Sequence, residues 1–184
     1  MEVEAGWLER DFEVEVRKVV LKMNGNKALG LDGFSMAFFQ VCWDVLRVDI
    51  MKVFGEFHVG GMFEKSLNAT FISLIPNIPG AMELKDFHPI SLVGGIYKII
   101  AKVLANRLKM VLDKIISKSQ SAFIKGRQIL DPILIANECL DGRLRLGELG
   151  VISKIDLEKA YDHVNWDFLL YVLRRSGFRG QWCS

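Results

Sequence analysis

Residues 151–162 read Val-Ile-Ser-Lys-Ile-Asp-Leu-Glu-Lys-Ala-Tyr-Asp, an apolar run that ends on the carboxylate of Asp156. A short run rich in Val and Ile predicts a buried strand, which would deliver the residue at its end to a cleft. A buried carboxylate needs a compensating charge, and hard oxygen ligands suit magnesium. The stretch therefore predicts a metal-binding strand end, although a single aspartate is more commonly a solvated or helix-capping group.

The composition predicts a folded chain, because 184 residues with 51% hydrophobic content suffice for one core or two small subdomains. The net charge of +2 is near balance. Residues 97–127, however, contain eight basic residues against one acid, a local charge of +7. Such a stretch suits a polyanion, while a solvated helix face is the commoner reason for clustered lysines.

Cysteine, histidine and hydropathy patterns indicate where the protein resides. The three cysteines and three histidines are scattered without a CxxC pair, so neither a zinc site nor a disulfide framework is indicated. The first residues are acidic and lack the apolar core of a signal peptide, and no apolar run is long enough to span a bilayer. We therefore expect an intracellular protein, nuclear or cytoplasmic, without a membrane segment.

Hydrophobic periodicity predicts an α+β chain in which helices dominate. Strands are expected at 69–75 and 87–93, paired as a hairpin with Pro89 at an edge or bulge, and at the run that ends on Asp156. Ser35 is expected to cap a helix, and Asn165 to begin a turn and cap before the last one. The predicted helices span 7–24, 35–58, 97–116, 129–146 and 168–175.

Six blocks of the sequence, taken in order, resemble the reverse transcriptases of non-long-terminal-repeat (LINE-type) retrotransposons, especially plant ones. These blocks are 26–34, 71–76, 86–92, 97–108, 120–127 and 156–166. The resemblance implies helix-rich fingers and the first part of the palm of a right-hand polymerase, incomplete. Residues 1–25 would then form a helix that precedes the domain, and residues 26–184 a partial reverse transcriptase domain.

The chemistry implied by the resemblance is nucleotidyl transfer by two magnesium ions. Asp156 matches the first metal-binding aspartate of the family, and the backbone carbonyl of Leu157 would lie beside the second ion. The family takes two further carboxylates from an adjacent Asp-Asp pair, and this sequence contains no such pair. We therefore expect a catalytically inactive fragment that lacks the remaining palm and the thumb and does not hold Mg²⁺ stably.

Tyr161 matches the family's aromatic residue beneath the sugar of the nucleotide, where a ring edge excludes a 2′-hydroxyl and so favours deoxynucleotides. Without the motif, an ordinary core tyrosine is the better interpretation. Asp162 also belongs to the family pattern, but no chemical role follows for it.

The RNA template and the DNA primer are the partners that the resemblance implies. Gln120 and Arg127 match a block that faces the template or the nucleotide, although Arg127 is equally well explained as a surface charge. Lys98, Lys102 and Lys109 recur at helical spacing and predict a face that binds RNA weakly.

Several positions depart from the family pattern. Leu29 and Leu31 replace the usual prolines, and Asn77 replaces a common lysine. His88 stands where the family has an arginine that contacts the triphosphate, and a neutral imidazole cannot reproduce the charged guanidinium fork. These losses predict a decayed, truncated copy. The alternative is a non-catalytic helical module that binds nucleic acid or another partner.

Overall fold

The computed structural model describes residue 8 and residues 12–62, 64–122, 124–151, 153–155 and 161–183. The chain divides into two compact units. One comprises residues 9–107, and the other comprises residues 1–8 together with 108–184.

Helices dominate the described residues, and two strands form a small antiparallel sheet. The prediction of a mixed helical and antiparallel structure is therefore confirmed. In chain order the elements are α1 (Glu13–Lys22), α2 (Met36–Val41), α3 (Trp43–Gly60), β1 (Thr70–Pro76), β2 (Phe87–Val93), α4 (Gly95–Ile115), α5 (Asp131–Leu146) and α6 (Trp166–Arg175), with short 3₁₀ turns at Lys65–Asn68, Leu84–Asp86 and Gly180–Trp182.

The core of the 9–107 unit is built from apolar faces of α1, α2, α3 and the first half of α4. Helix α1 buries Val16, Val19 and Val20, which recur at the three- and four-residue spacing of one helix face. Arg107 is almost fully buried in this unit and forms an ion pair with Glu15, its Nε lying 2.7 Å from Oε2. Its guanidinium carbon also lies 3.9 Å from the ring centroid of Phe12, so the buried charge is compensated from two directions.

The loop between α1 and α2 is fastened to the start of α4. A carboxylate oxygen of Asp32 accepts a hydrogen bond from Gly95 N at 2.5 Å, where a free helix N–H favours an anion. Backbones approach closely here: a Cβ on Gly30 would meet the backbone of residues 93–94, and a Cβ on Gly95 would meet the ring of Phe39. Glycine at both positions is therefore a packing requirement.

The hairpin confirms the predicted antiparallel pairing, with Thr70 opposite Val93 and Pro76 opposite Phe87. Just beyond β1, Asn77 N donates to Asp86 O at 2.8 Å. Because backbone groups alternate in direction along an antiparallel strand, this bond fixes which residues face the partner strand. Pro89 falls at a position that faces outward, which agrees with the edge position predicted for it.

In the second unit, a smaller cluster joins Leu8, Val111, Phe178 and Cys183. Helix α6 begins at Trp166, and Asn165 caps it, since its side chain accepts from Phe168 N at 2.9 Å. None of the described residues in α5 is buried.

Three sequence predictions need correction. The helix expected over 7–24 is not one helix, because Phe12, which lies between the helical Leu8 and α1, is outside the helix and stands at the N-cap of α1. The helix expected over 35–58 is two helices, because Cys42 leaves helical geometry with ψ 13° between α2 and α3; its predicted cap, Ser35, is confirmed by a bond from Phe38 N. The strand expected to end at Asp156 is not seen at residues 151 and 153–155, which have no regular structure. Val151 and Ile155 are 95% and 80% exposed, and an isolated strand without a described neighbour has nothing to pair with.

Candidate nucleotide and nucleic-acid site

The metal-binding position falls on residues that the structure does not describe. Asp156 and Leu157 both lie outside the described residues. Among the described residues, no three side chains of His, Cys, Asp or Glu converge closely enough to hold a metal ion. The magnesium ligands therefore remain a prediction.

Tyr161 lies in the turn that precedes α6, and 75% of it is exposed. Its ring meets the ring of Trp166 edge to face, with centroids 5.7 Å apart. Trp166 thus packs against one part of the ring, and most of the side chain is open to solvent. Tyr161 is therefore not a core tyrosine, and its contact with a nucleotide sugar stays a prediction.

The guanidinium of Arg127 is hydrogen-bonded to residues that lie shortly before it in the chain. Its Nη2 lies 2.7 Å from Asp113 Oδ1, and its Nη1 donates to the carbonyl oxygens of Ser117 and Gln120. Nη2 also donates to the carbonyl oxygen of Ile116 at 3.3 Å. The side chain is only 15% exposed. The guanidinium therefore ties the 117–127 loop to the carboxyl end of α4, and its contact with template or nucleotide stays a prediction.

Of the predicted site residues, Gln120 and Arg127 are brought into contact. Sequence reasoning missed Asp113, which anchors Arg127 and is the only acid in the basic stretch from 97 to 127. The sequence did offer one clue to this ion pair: Asp113 is a single carboxylate among eight basic residues, so a basic partner for it was to be expected.

His88 lies on β2, directly opposite Ile75 on β1, and is exposed. Residues directly opposite each other share a face of the sheet, so the imidazole stands beside Ile75 near the turn end of the hairpin. The same face also carries Ser73 and Ile90. No described cation lies opposite His88 on β1, and the departure from arginine leaves this face without a fixed charge.

The three predicted RNA-binding lysines differ in what surrounds them. Lys98 Nζ donates to the backbone oxygen of Ala28 at 2.6 Å and is partly buried. Lys102 and Lys109 are exposed. Lys98 therefore serves the loop between α1 and α2, while the other two ammonium groups face solvent.

No helix among the described residues has the length and apolar character needed to cross a membrane.

Comparison with known proteins identifies the family. The family model for reverse transcriptase (RNA-dependent DNA polymerase) matches residues 75–184. A protein described as the transposon TX1 uncharacterized 149 kDa protein of Xenopus laevis is 34% identical over 167 residues, which is 91% of this chain. The chain spans 13% of the length of that relative.

These matches confirm the resemblance to non-long-terminal-repeat reverse transcriptases, while its plant-type subdivision stays a prediction. The order of the blocks, the paired hairpin and both matches lead to one conclusion: the chain belongs to the reverse transcriptase (RNA-dependent DNA polymerase) family of retrotransposons.

Proposed function

We propose that residues 26–184 form the fingers and the first part of the palm of a right-hand RNA-directed DNA polymerase, and that residues 1–25 precede this domain. The match over residues 75–184 carries the proposal. The antiparallel hairpin of β1 and β2 supports it, since the right-hand interpretation predicts a paired hairpin at these two segments.

Within the complete polymerase, the proposed partners are an RNA template, a DNA primer and a deoxynucleotide. Two magnesium ions supply the stabilisation of charge on the attacking and leaving oxygens in this family. In this chain Asp156 and the carbonyl of Leu157 are the proposed ligands, and Tyr161 limits the space at the 2′ position of the sugar. His88 removes a fixed cation from the proposed triphosphate contact, which weakens binding of the nucleotide.

We expect the purified chain to show no primer extension when it is given magnesium, an RNA template, a DNA primer and deoxynucleotides. The sequence has no Asp-Asp pair, and one carboxylate cannot hold two cations against their mutual repulsion and their hydration. An Asp156→Ala variant provides the baseline. Extension by the native chain above that baseline would show that the proposed inactivity is wrong.

A second function, binding of single-stranded RNA, is favoured by the +7 stretch over 97–127. Lys98, Lys102 and Lys109 are four and seven residues apart, a spacing that brings side chains to one helix face. We expect weak binding with a steep salt dependence, because each phosphate contact contributes a slope of roughly −0.7 for single strands. Changing all three lysines to glutamine should flatten the slope by about 2. Fluorescence anisotropy with labelled RNA across a salt series measures this slope of the binding constant against salt concentration.

Two further variants test whether a flatter slope comes from the lysines of α4 and not from a disturbed loop or from the lower net charge. A Lys102→Gln, Lys109→Gln variant keeps the bond between Lys98 and Ala28, so it separates lost charge from a disturbed loop. A variant with Lys18, Lys22 and Lys52 changed to glutamine removes the same charge from exposed positions on α1 and α3. The control should keep the native slope. Equal slopes for the native chain and the α4 variants would exclude this face as an RNA-binding surface.

A further inference from the structure

The outer edge of β1 presents backbone groups that no described strand satisfies. The bond from Asn77 N to Asp86 O places the N–H of Asn77 toward β2. Since directions alternate along the strand, the N–H groups of Thr70, Ile72 and Leu74 point away from β2. Among the described residues the sheet has only two strands, so this edge is a ready template for another strand.

The outer edge of β2 is a poorer template. Pro89 lies opposite Leu74 and therefore faces outward, where it has no N–H to donate. A strand added beside β2 would lose a hydrogen bond in the middle of its ladder. The two edges of one hairpin are thus unequal, and only the β1 edge offers an unbroken row of donors from Thr70 to Leu74.

The side chains of β1 suit association with an apolar strand. The strand contains no charged residue and no proline before its last position, Pro76. Phe71, Ile72, Leu74 and Ile75 are 57%, 66%, 45% and 44% exposed. Native edge strands usually carry a lysine, an early proline or a bulge to prevent pairing, and β1 shows none of these devices.

We propose that β1 pairs antiparallel with β1 of a second copy of this chain, which joins two hairpins into a four-stranded sheet. With Ile72 opposite Ile72 of the other copy, Thr70 lies opposite Leu74, and each outward N–H finds an outward carbonyl. The flanking pairs set Phe71 of each copy opposite Ser73 of the other.

The second copy fits because the strand is complementary to itself. In this twofold register only Ile72 meets its own copy, and every other residue of the strand faces a different residue of the same strand, so any charge on β1 would lie close to a like charge across the axis. β1 has no charges to repel. Pairing also removes apolar side chains from water on both faces of a hairpin that is marginal as a two-stranded sheet.

Sedimentation equilibrium of the chain over a concentration series tests this proposal. The native chain should show a reversible dimer. An Ile72→Pro variant removes one outward N–H from each copy, and we expect the dissociation constant to rise roughly tenfold or more. The matched control is Ser91→Pro, because Ser91 lies opposite Ile72 and its backbone faces the other edge. This control should retain the native dissociation constant.

Amide hydrogen exchange by NMR tests the same edge without a substitution, in case either proline variant fails to fold. Protection of Thr70, Ile72 and Leu74 should rise with protein concentration, while Ser91 and Val93 stay unchanged. A chain that remains monomeric at all concentrations would refute the proposal. An equal loss of dimer in both proline variants, or concentration-dependent protection confined to Ser91 and Val93, would also refute it.

Discussion

At Arg127, each of the three guanidinium nitrogens donates to an oxygen of residues 113–120, and Oδ1 of Asp113 accepts two of these bonds. An arginine fork is fitted to this task because its donors are planar and fixed in direction. Contact with a nucleotide would require some of these bonds to break. In this structure Arg127 ties the 117–127 loop to the end of α4, and its contact with template or nucleotide stays a prediction.

We expect Arg127→Ala to lower the free energy of unfolding by about 1–3 kcal/mol, because several carbonyl oxygens at the end of α4 and in the loop lose their donors. Arg127→Lys should recover only part of this loss, since one ammonium cannot reach all the acceptors. Urea denaturation followed by circular dichroism measures both.

Asp113→Asn is the control for that measurement. Its side chain is 69% exposed, and exposed ion pairs contribute little, so the cost should stay under about 1 kcal/mol. If Arg127→Ala is as stable as the native chain, the loop does not depend on the guanidinium.

Among the elements, the junction of β2 and α4 depends on glycine. We expect Gly95→Ala to destabilise the chain by about 1–3 kcal/mol, because the new methyl group would overlap the ring of Phe39 in a packed core. Gly55→Ala is the matched control: it lies within α3 with open space where its methyl group would extend, and alanine favours a helix by about 0.5–1 kcal/mol. The midpoint temperature of thermal unfolding should therefore fall for Gly95→Ala and rise for Gly55→Ala. A gain in stability for Gly95→Ala would contradict the close approach.

Sequence periodicity predicted the long helices and both hairpin strands to within about two residues at most ends. It merged α2 with α3, because the apolar pattern continues through Cys42 while the backbone turns there. Periodicity reports which side chains are apolar, and it carries no information about a single residue that leaves helical geometry.

At the scale of the whole molecule, the units differ in how much they bury. We expect amide exchange to be slow in α1 and in α3 near Phe54, where side chains are fully buried. Exchange in α5 should be fast and close to that of an unpacked helix, since α5 buries none of its described residues. Mass-spectrometric hydrogen exchange on the native chain measures this. Protection of α5 equal to that of α1 would indicate a partner that covers α5 in solution.

The sequence predicted those features of the fold and the candidate site that depend on neighbouring residues. It did not predict the features that depend on contacts between residues far apart in the chain. The caps at Ser35 and Asn165 depend on neighbours three residues away and were foreseen. The strand expected at 151–156 depends on pairing with other strands, and residues 151 and 153–155 do not form one. The anchoring of Arg127 by Asp113, fourteen residues apart, also needed the folded structure.

Pro89 has a consequence for how the hairpin finds its alignment during folding. A slip of β2 by one residue would turn Pro89 inward, where the ladder requires a donor that proline lacks, and would move every side chain to the opposite face. The native alignment of Leu74 with Pro89 avoids both penalties. Pro89 thus disfavours the two pairings in which β2 is shifted by one residue in either direction, which are the wrong pairings nearest to the native one.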